Sequence, residues 1–175
     1  MPSYAVPARV FGLVSATLFV ILRPLWPAYA DAAARGDSLW LRRTLRRSTL
    51  ATALAASVLV FPLWAVGPWA VHLLGRDAVA VSRSTLAAFA LWTVLSTTGA
   101  AVSMALNGLR IMRLQLIASA VMAGSNLALS WVLAHHVGVV GVVWGSVATY
   151  TACIGLPYLV LVPRALHRAF AEVSP

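Results

Sequence analysis

The sequence predicts an all-α membrane protein that crosses the bilayer about five times. Three observations carry this. The 175-residue chain is 61% hydrophobic and only 10% charged, a composition outside the range of water-soluble domains. Its apolar residues come in runs of about twenty or more, the length a helix needs to cross about 30 Å of hydrocarbon. The charged residues collect between those runs instead of alternating with apolar ones, as the exposed face of a soluble helix requires.

The formal charge of +9 comes from thirteen arginines and no lysine. A chain this basic has the charge of a nucleic-acid binder. Here, however, the arginines sit at the ends of apolar runs, where lipid headgroups and the positive-inside rule place them. The expected partner is therefore the membrane, not nucleic acid. The single cysteine, Cys153, lies inside an apolar run, so no disulfide or metal framework forms within one chain.

The first run extends from Val6 to Ala30, with Arg9 near its start and Arg23 near its end. Ala28-Tyr29-Ala30 has the form of a signal-peptidase site, but Arg23, Pro24, Trp26 and Pro27 precede it. A bulky, basic, twice-prolined approach argues against cleavage, and the run is read as an uncleaved helix. The cytoplasmic loop 31–48 follows, with Arg35, Arg42, Arg43, Arg46 and Arg47. Gly36-Asp37 ends one helix and caps another. From Ser38 to Ser48, Leu41 and Leu45 share a face, which predicts a short basic amphipathic helix lying in the headgroups with Trp40 as its anchor.

The second span is predicted over Thr49 to Leu74, with Pro62, Gly67 and Pro68 inside it. Its prolines allow either static kinks or moving bends. A polar loop with Arg76, Asp77 and Arg83 leads to the third span, Thr85 to Leu106, whose polar side carries Thr93, Ser96, Thr97, Thr98 and Ser103. Asn107-Gly108 reads as a tight turn, followed by Arg110, Arg113 and the fourth span, Leu114 to Ala134. Asn126 in that span is expected to tie helices together. Adjacent His135 and His136 cannot both face one metal from a helix, so they are read as interfacial residues in a short connection. The fifth span, Val139 to Val162, opens with Gly141 and Gly145 four residues apart, a spacing that admits a close helix neighbour. Pro163 and Arg164 are expected to end it, leaving a basic amphipathic tail.

Five spans put the termini on opposite sides. With the 31–48 loop cytoplasmic, Arg110, Arg113, Arg164 and Arg168 are cytoplasmic as well. Arg9, Arg76 and Arg83 are then outside, and the positive-inside rule selects this orientation, N-terminus out and C-terminus in. Arg23 is the strong charge within a span. Two readings of it are open: its side chain snorkels to the cytoplasmic headgroups, or it lines a wet cavity and holds an anionic substrate. No catalytic motif, metal-ligand cluster or cofactor-binding loop is present. With four acidic residues in all, acid–base catalysis has few candidates.

Two segments resemble a known family. PLWPAYADAAARGDSLWLRRTLRRS, Pro24 to Ser48, is similar to a loop in the second half of polysaccharide flippases of the multidrug/oligosaccharidyl-lipid/polysaccharide exporter superfamily. LNGLRIMRLQLIASAVMAGSNLALSWVLAHHVGVVGVVWGSVATY, Leu106 to Tyr150, resembles that family's L-N-G turn, its Asn-bearing span and the G-V-x-G-V-x-x-G opening of the next. The resemblance implies a two-lobed, alternating-access transporter, of which this chain would supply five helices of the second lobe. The implied substrate is an undecaprenyl-diphosphate oligosaccharide moved across the bacterial inner membrane. The implied partners are a first lobe or further copies of the chain, and no cofactor is implied. Arg23 is then the candidate substrate-binding residue, since a cation beside a cavity suits a diphosphate. Two alternatives stand beside this reading: a small-molecule exporter of the same superfamily, and a non-transporting membrane scaffold or remnant. Transport predicts that Arg23 and the hydroxyl faces of the third and fourth spans enclose a polar cavity. A scaffold predicts those faces packed shut.

Overall fold

The computed structural model describes residues 2–73 and 82–171. Among them every element is helical: α1 (Pro2–Leu22), α2 (Leu25–Ala34), α3 (Ser38–Leu73), α4 (Arg83–Gly108), α5 (Met112–Val137), α6 (Val139–Tyr150), a π-turn (Thr151–Gly155) and α7 (Leu156–Ala171). Five helical stretches are long and apolar enough to cross a membrane: Tyr4–Ala34, Ser38–Gly67, Arg83–Gly108, Met112–Val137 and Val140–Leu166. The chain is thus an all-α, multi-pass membrane-type fold, as the sequence predicts. Arg76, Asp77 and the end of the predicted second span at Leu74 lie outside the described residues, as do the last four of the tail.

The expected first helix is broken. Pro24 has no N–H for the Val20 carbonyl and Pro27 has none for that of Arg23. Each carbonyl is taken one residue early, Arg23 N–H donating to Val20 O (3.3 Å) and Trp26 N–H to Arg23 O (3.2 Å). The two tight turns separate α1 from α2, with Arg23 at the break.

The turn after α2 forms as expected. Gly36 adopts φ 69°, and the Gly36 and Asp37 amides donate to the Ala33 and Ala32 carbonyls (3.1 and 3.0 Å), closing the helix end in a Schellman pattern. Asp37 Oδ1 then accepts from the Trp40 amide at 2.9 Å and caps α3. The separate amphipathic helix expected over 38–48 is not separate. Nothing between Arg47 and Thr49 interrupts the backbone ladder, so the basic segment and the second span form one helix of 36 residues, about 54 Å long at about 1.5 Å per residue. Leu41 is fully buried and Leu45 partly so, which confirms the apolar face read from the sequence.

The predicted Asn107-Gly108 turn lies two residues later. Both residues are still helical in α4, and the reversal falls on Arg110, which takes φ 58°. Its amide donates to Asn107 O (3.1 Å) and that of Ile111 to Leu106 O (2.9 Å), a second Schellman closure with arginine where glycine is usual. Asn107 instead reaches across the turn, its Oδ1 accepting from Gln115 Nε2 at 2.9 Å. His135 and His136 are not in a connection either. They form the last turn of α5, and Gly138, at φ 70°, joins α5 to α6.

Pro163 does not end the last span; α7 runs through it to Ala171. The irregularity comes earlier, at Thr151–Gly155, where the Leu156 amide reaches the Thr151 carbonyl five residues back. Pro157 supplies the reason. Its ring crowds the carbonyl of Cys153 and it has no amide to donate, so the helix widens by one residue ahead of it.

Helix α4 is the centre of the bundle, touching α1, α2, α3 and α6. The core lies in two clusters. One, beside the Gly36 and Arg110 turns, contains Tyr29, Leu41, Leu106, Tyr158 and Val162. The other, toward the opposite end, joins Phe11, Val60, Leu86, Phe89 and Val143. Helix α5 is the outlier, with 6% of its apolar window buried against 39% for α4.

Candidate functional site

The two family-like segments meet at Gly108. A Cβ there would lie 2.6 Å from Tyr29 Cβ, 2.9 Å from the Ala30 amide nitrogen and 3.0 Å from the Trp26 carbonyl oxygen. Only a residue without a side chain lets the α2 backbone come so close. Tyr29 is completely buried by this approach. Its ring meets Trp40 of α3 edge-on at 5.9 Å and 68°, and its hydroxyl lies 3.0 Å from Ser48 Oγ. The Trp-Pro-Ala-Tyr helix end, the start of α3 and the L-N-G segment thus form one packed unit. Sequence reading took Gly108 as a turn residue and missed this contact; a glycine in the last turn of an apolar helix is the signal for it.

The same logic holds α5 against α6. A Cβ on Gly141 would lie 2.7 Å from the Leu133 carbonyl oxygen, and one on Gly145 would lie 3.1 Å from Ser130 Oγ, as the Gly-x-x-x-Gly spacing predicts. Asn126 Oδ1 accepts from Ser130 Oγ (2.8 Å) and from Ser146 Oγ of α6 (3.3 Å). This is the structural role expected of Asn126.

Arg23 is exposed on the break between α1 and α2, about 18 Å short of Arg35 along the helix direction. The hydroxyl side of α4 does not join it. Thr93 and Thr97 are 1% and 0% exposed, with Thr97 Oγ1 donating back to the Thr93 carbonyl at 2.7 Å. Gly99 gives its space to the Tyr150 hydroxyl, and Tyr150 also packs edge-on against Trp92 (5.4 Å, 80°). On α5, by contrast, Ser119 and Ser125 are exposed. Thr93 and Thr97 are therefore packed inside the bundle and do not line a cavity with the exposed Arg23.

Among the described residues the structure shows an open apolar groove of about 330 Å³ between α3 and α4, lined by residues including Ser57, Phe61, Trp64, Ala90 and Leu91. No group of three or more metal-ligating side chains occurs among the described residues. Comparison with protein-family models, with curated proteins and with solved structures gave no match. The fold defines the chain as a multi-pass helical membrane protein.

Proposed function

We propose that the chain is a membrane-embedded part of a polysaccharide flippase, acting on a lipid-linked oligosaccharide in the bacterial inner membrane. The observation that carries this reading is the contact at Gly108. The two segments that resemble the flippase family are separated by 57 residues in sequence yet pack against each other through a residue that tolerates no side chain. Separate chance resemblances have no reason to share one packed unit. In this reading the basic end faces the cytoplasm and Arg23 attracts the diphosphate, on a surface completed by another lobe or by further copies of the chain.

A second reading, a non-transporting scaffold, is favoured by the sealed hydroxyl face of α4, where Thr93 and Thr97 are buried. Complementation separates the two. The chain is expressed in a bacterium lacking its polysaccharide flippase, alone and with a separately expressed first lobe, and surface polysaccharide is measured. Transport predicts restored export in at least one arrangement and its loss in Arg23→Gln. A chain that is inserted and stable but restores nothing in either arrangement is a scaffold.

A further inference from the structure

We propose that the outer face of α3 holds an anionic phospholipid, its phosphate on the arginines of the first turns and one acyl chain in the α3/α4 groove. Arg42, Arg43, Arg46 and Arg47 are all exposed, and the chain has thirteen arginines against four acids, so most of these cations have no carboxylate to meet. Their direction is informative. Counting about 100° per residue, Arg43, Leu50, Leu54 and Phe61 fall within about 40° of one another on the helix. Leu50, Leu54 and Phe61 are 54%, 66% and 64% exposed, which makes this the lipid-facing side of the span. Arg43 therefore faces outward, toward neighbouring lipids, and Arg46 and Arg47 lie within about 60° of it on the same exposed side.

The groove lies on the same side. Its α3 wall runs from Ser57 to Trp64, about 15 to 25 Å from Arg47 along the helix. Half the hydrocarbon thickness is about 15 Å, with a few more ångströms to the headgroup phosphate, so a lipid held at Arg43 and Arg46 has the distal part of its chain at the groove. Guanidinium groups bind phosphate oxygens by paired charge-assisted hydrogen bonds, and the groove wall offers an acyl chain apolar contacts. Neither half is a lipid site alone; their alignment on one helix face is what assigns the occupant. This inference is independent of the transport reading.

The test uses the full chain in neutral detergent, titrated with phosphatidylglycerol, phosphatidylcholine or a polyprenyl monophosphate, with bound lipid counted by native mass spectrometry. Each arginine near an anionic surface contributes about fivefold in binding. Phosphatidylglycerol is expected to be retained at least about tenfold better than phosphatidylcholine, and that preference to disappear when all four arginines are replaced by glutamine. Ala90→Trp, which fills the groove without touching the charge, should also reduce phosphatidylglycerol retention. Replacing Arg110 and Arg113 by glutamine should not. Undiminished retention in either the four-glutamine or the Ala90→Trp variant overturns the proposal, as does an equal loss in the Arg110/Arg113 variant. Displacement of phosphatidylglycerol by an equimolar polyprenyl phosphate would reassign the site to an isoprenoid lipid. No transport is measured, so failure here leaves the flippase reading standing, and failed complementation leaves this one standing.

Discussion

Placing a methyl group on Gly108 tests the contact on which the bundle's basic end depends. In Gly108→Ala the new carbon would sit 2.6 Å from Tyr29 Cβ and within 3.0 Å of two α2 backbone atoms. Ordinary carbon contacts are about 3.5 to 4.0 Å, so α2 must retreat by about 1 Å. Backbone cannot rotate aside as a side chain can. Overpacking of this kind costs about 1 to 3 kcal/mol, and a displaced Tyr29 also strains its hydrogen bond to Ser48, about 0.6 kcal/mol in a membrane helix pair. Alanine returns up to about 1 kcal/mol through helix propensity, leaving a net loss of about 1 to 3 kcal/mol. Gly124 is the control, because a Cβ there meets nothing within 4 Å; Gly124→Ala should be neutral or stabilising by up to about 1 kcal/mol. The assay is reversible unfolding by sodium dodecyl sulfate from a neutral detergent, followed by circular dichroism. If Gly108→Ala is as stable as Gly124→Ala, the close approach of α2 to α4 does not exist as described.

Other substitutions probe the remaining joints. Gly141→Ala, aimed at a carbonyl 2.7 Å away, should destabilise the α5–α6 pair by about 1 to 3 kcal/mol in the same unfolding assay. Gly145→Ala should cost less, since the nearest atom is the Ser130 hydroxyl, which can turn. Asn126→Ala removes the acceptor for Ser130 and Ser146 and should cost about 1 to 2 kcal/mol. Arg110→Gly should stabilise by up to about 1 kcal/mol, because φ 58° at that residue is left-handed and costs glycine nothing. For orientation, single cysteines are introduced at Ser38, Met112 and His136 in a Cys153→Ala background. In spheroplasts an impermeant maleimide should label only the His136 position; labelling of the other two instead would invert the membrane orientation.

Much of this architecture was legible because it is local. Run length gives the number of spans, the Gly141/Gly145 spacing gives a close neighbour, and Gly36-Asp37 gives a turn whatever surrounds it. What was misread depends on partners. Gly108 looks like a turn glycine until α2 is placed against it, and the turn then falls to Arg110. The hydroxyls of Thr93 and Thr97 look like a cavity wall until α4 proves to be the central helix, where such groups are sealed and Thr97 satisfies itself on its own backbone. The break at Arg23 and the π-turn before Pro157 follow from missing proline amides. Their positions could have been found by asking which carbonyl each proline leaves without a donor.

The fusion of the basic segment with the second span has a mechanical consequence. Of the 36 residues of α3, the 24 from Ser38 to Phe61, ahead of Pro62, cross the membrane boundary with no breaker and form a rigid strut. If it pivots near the middle of α3, about 27 Å from the Gly36–Asp37 end, a 10° change of tilt sweeps that end sideways by about 5 Å. A hinge at Arg47–Thr49 would have absorbed such a movement at the surface. Without one, rearrangements deep in the bilayer are delivered to the arginine-bearing tip undiminished, and a load applied to the tip is felt equally in the bilayer.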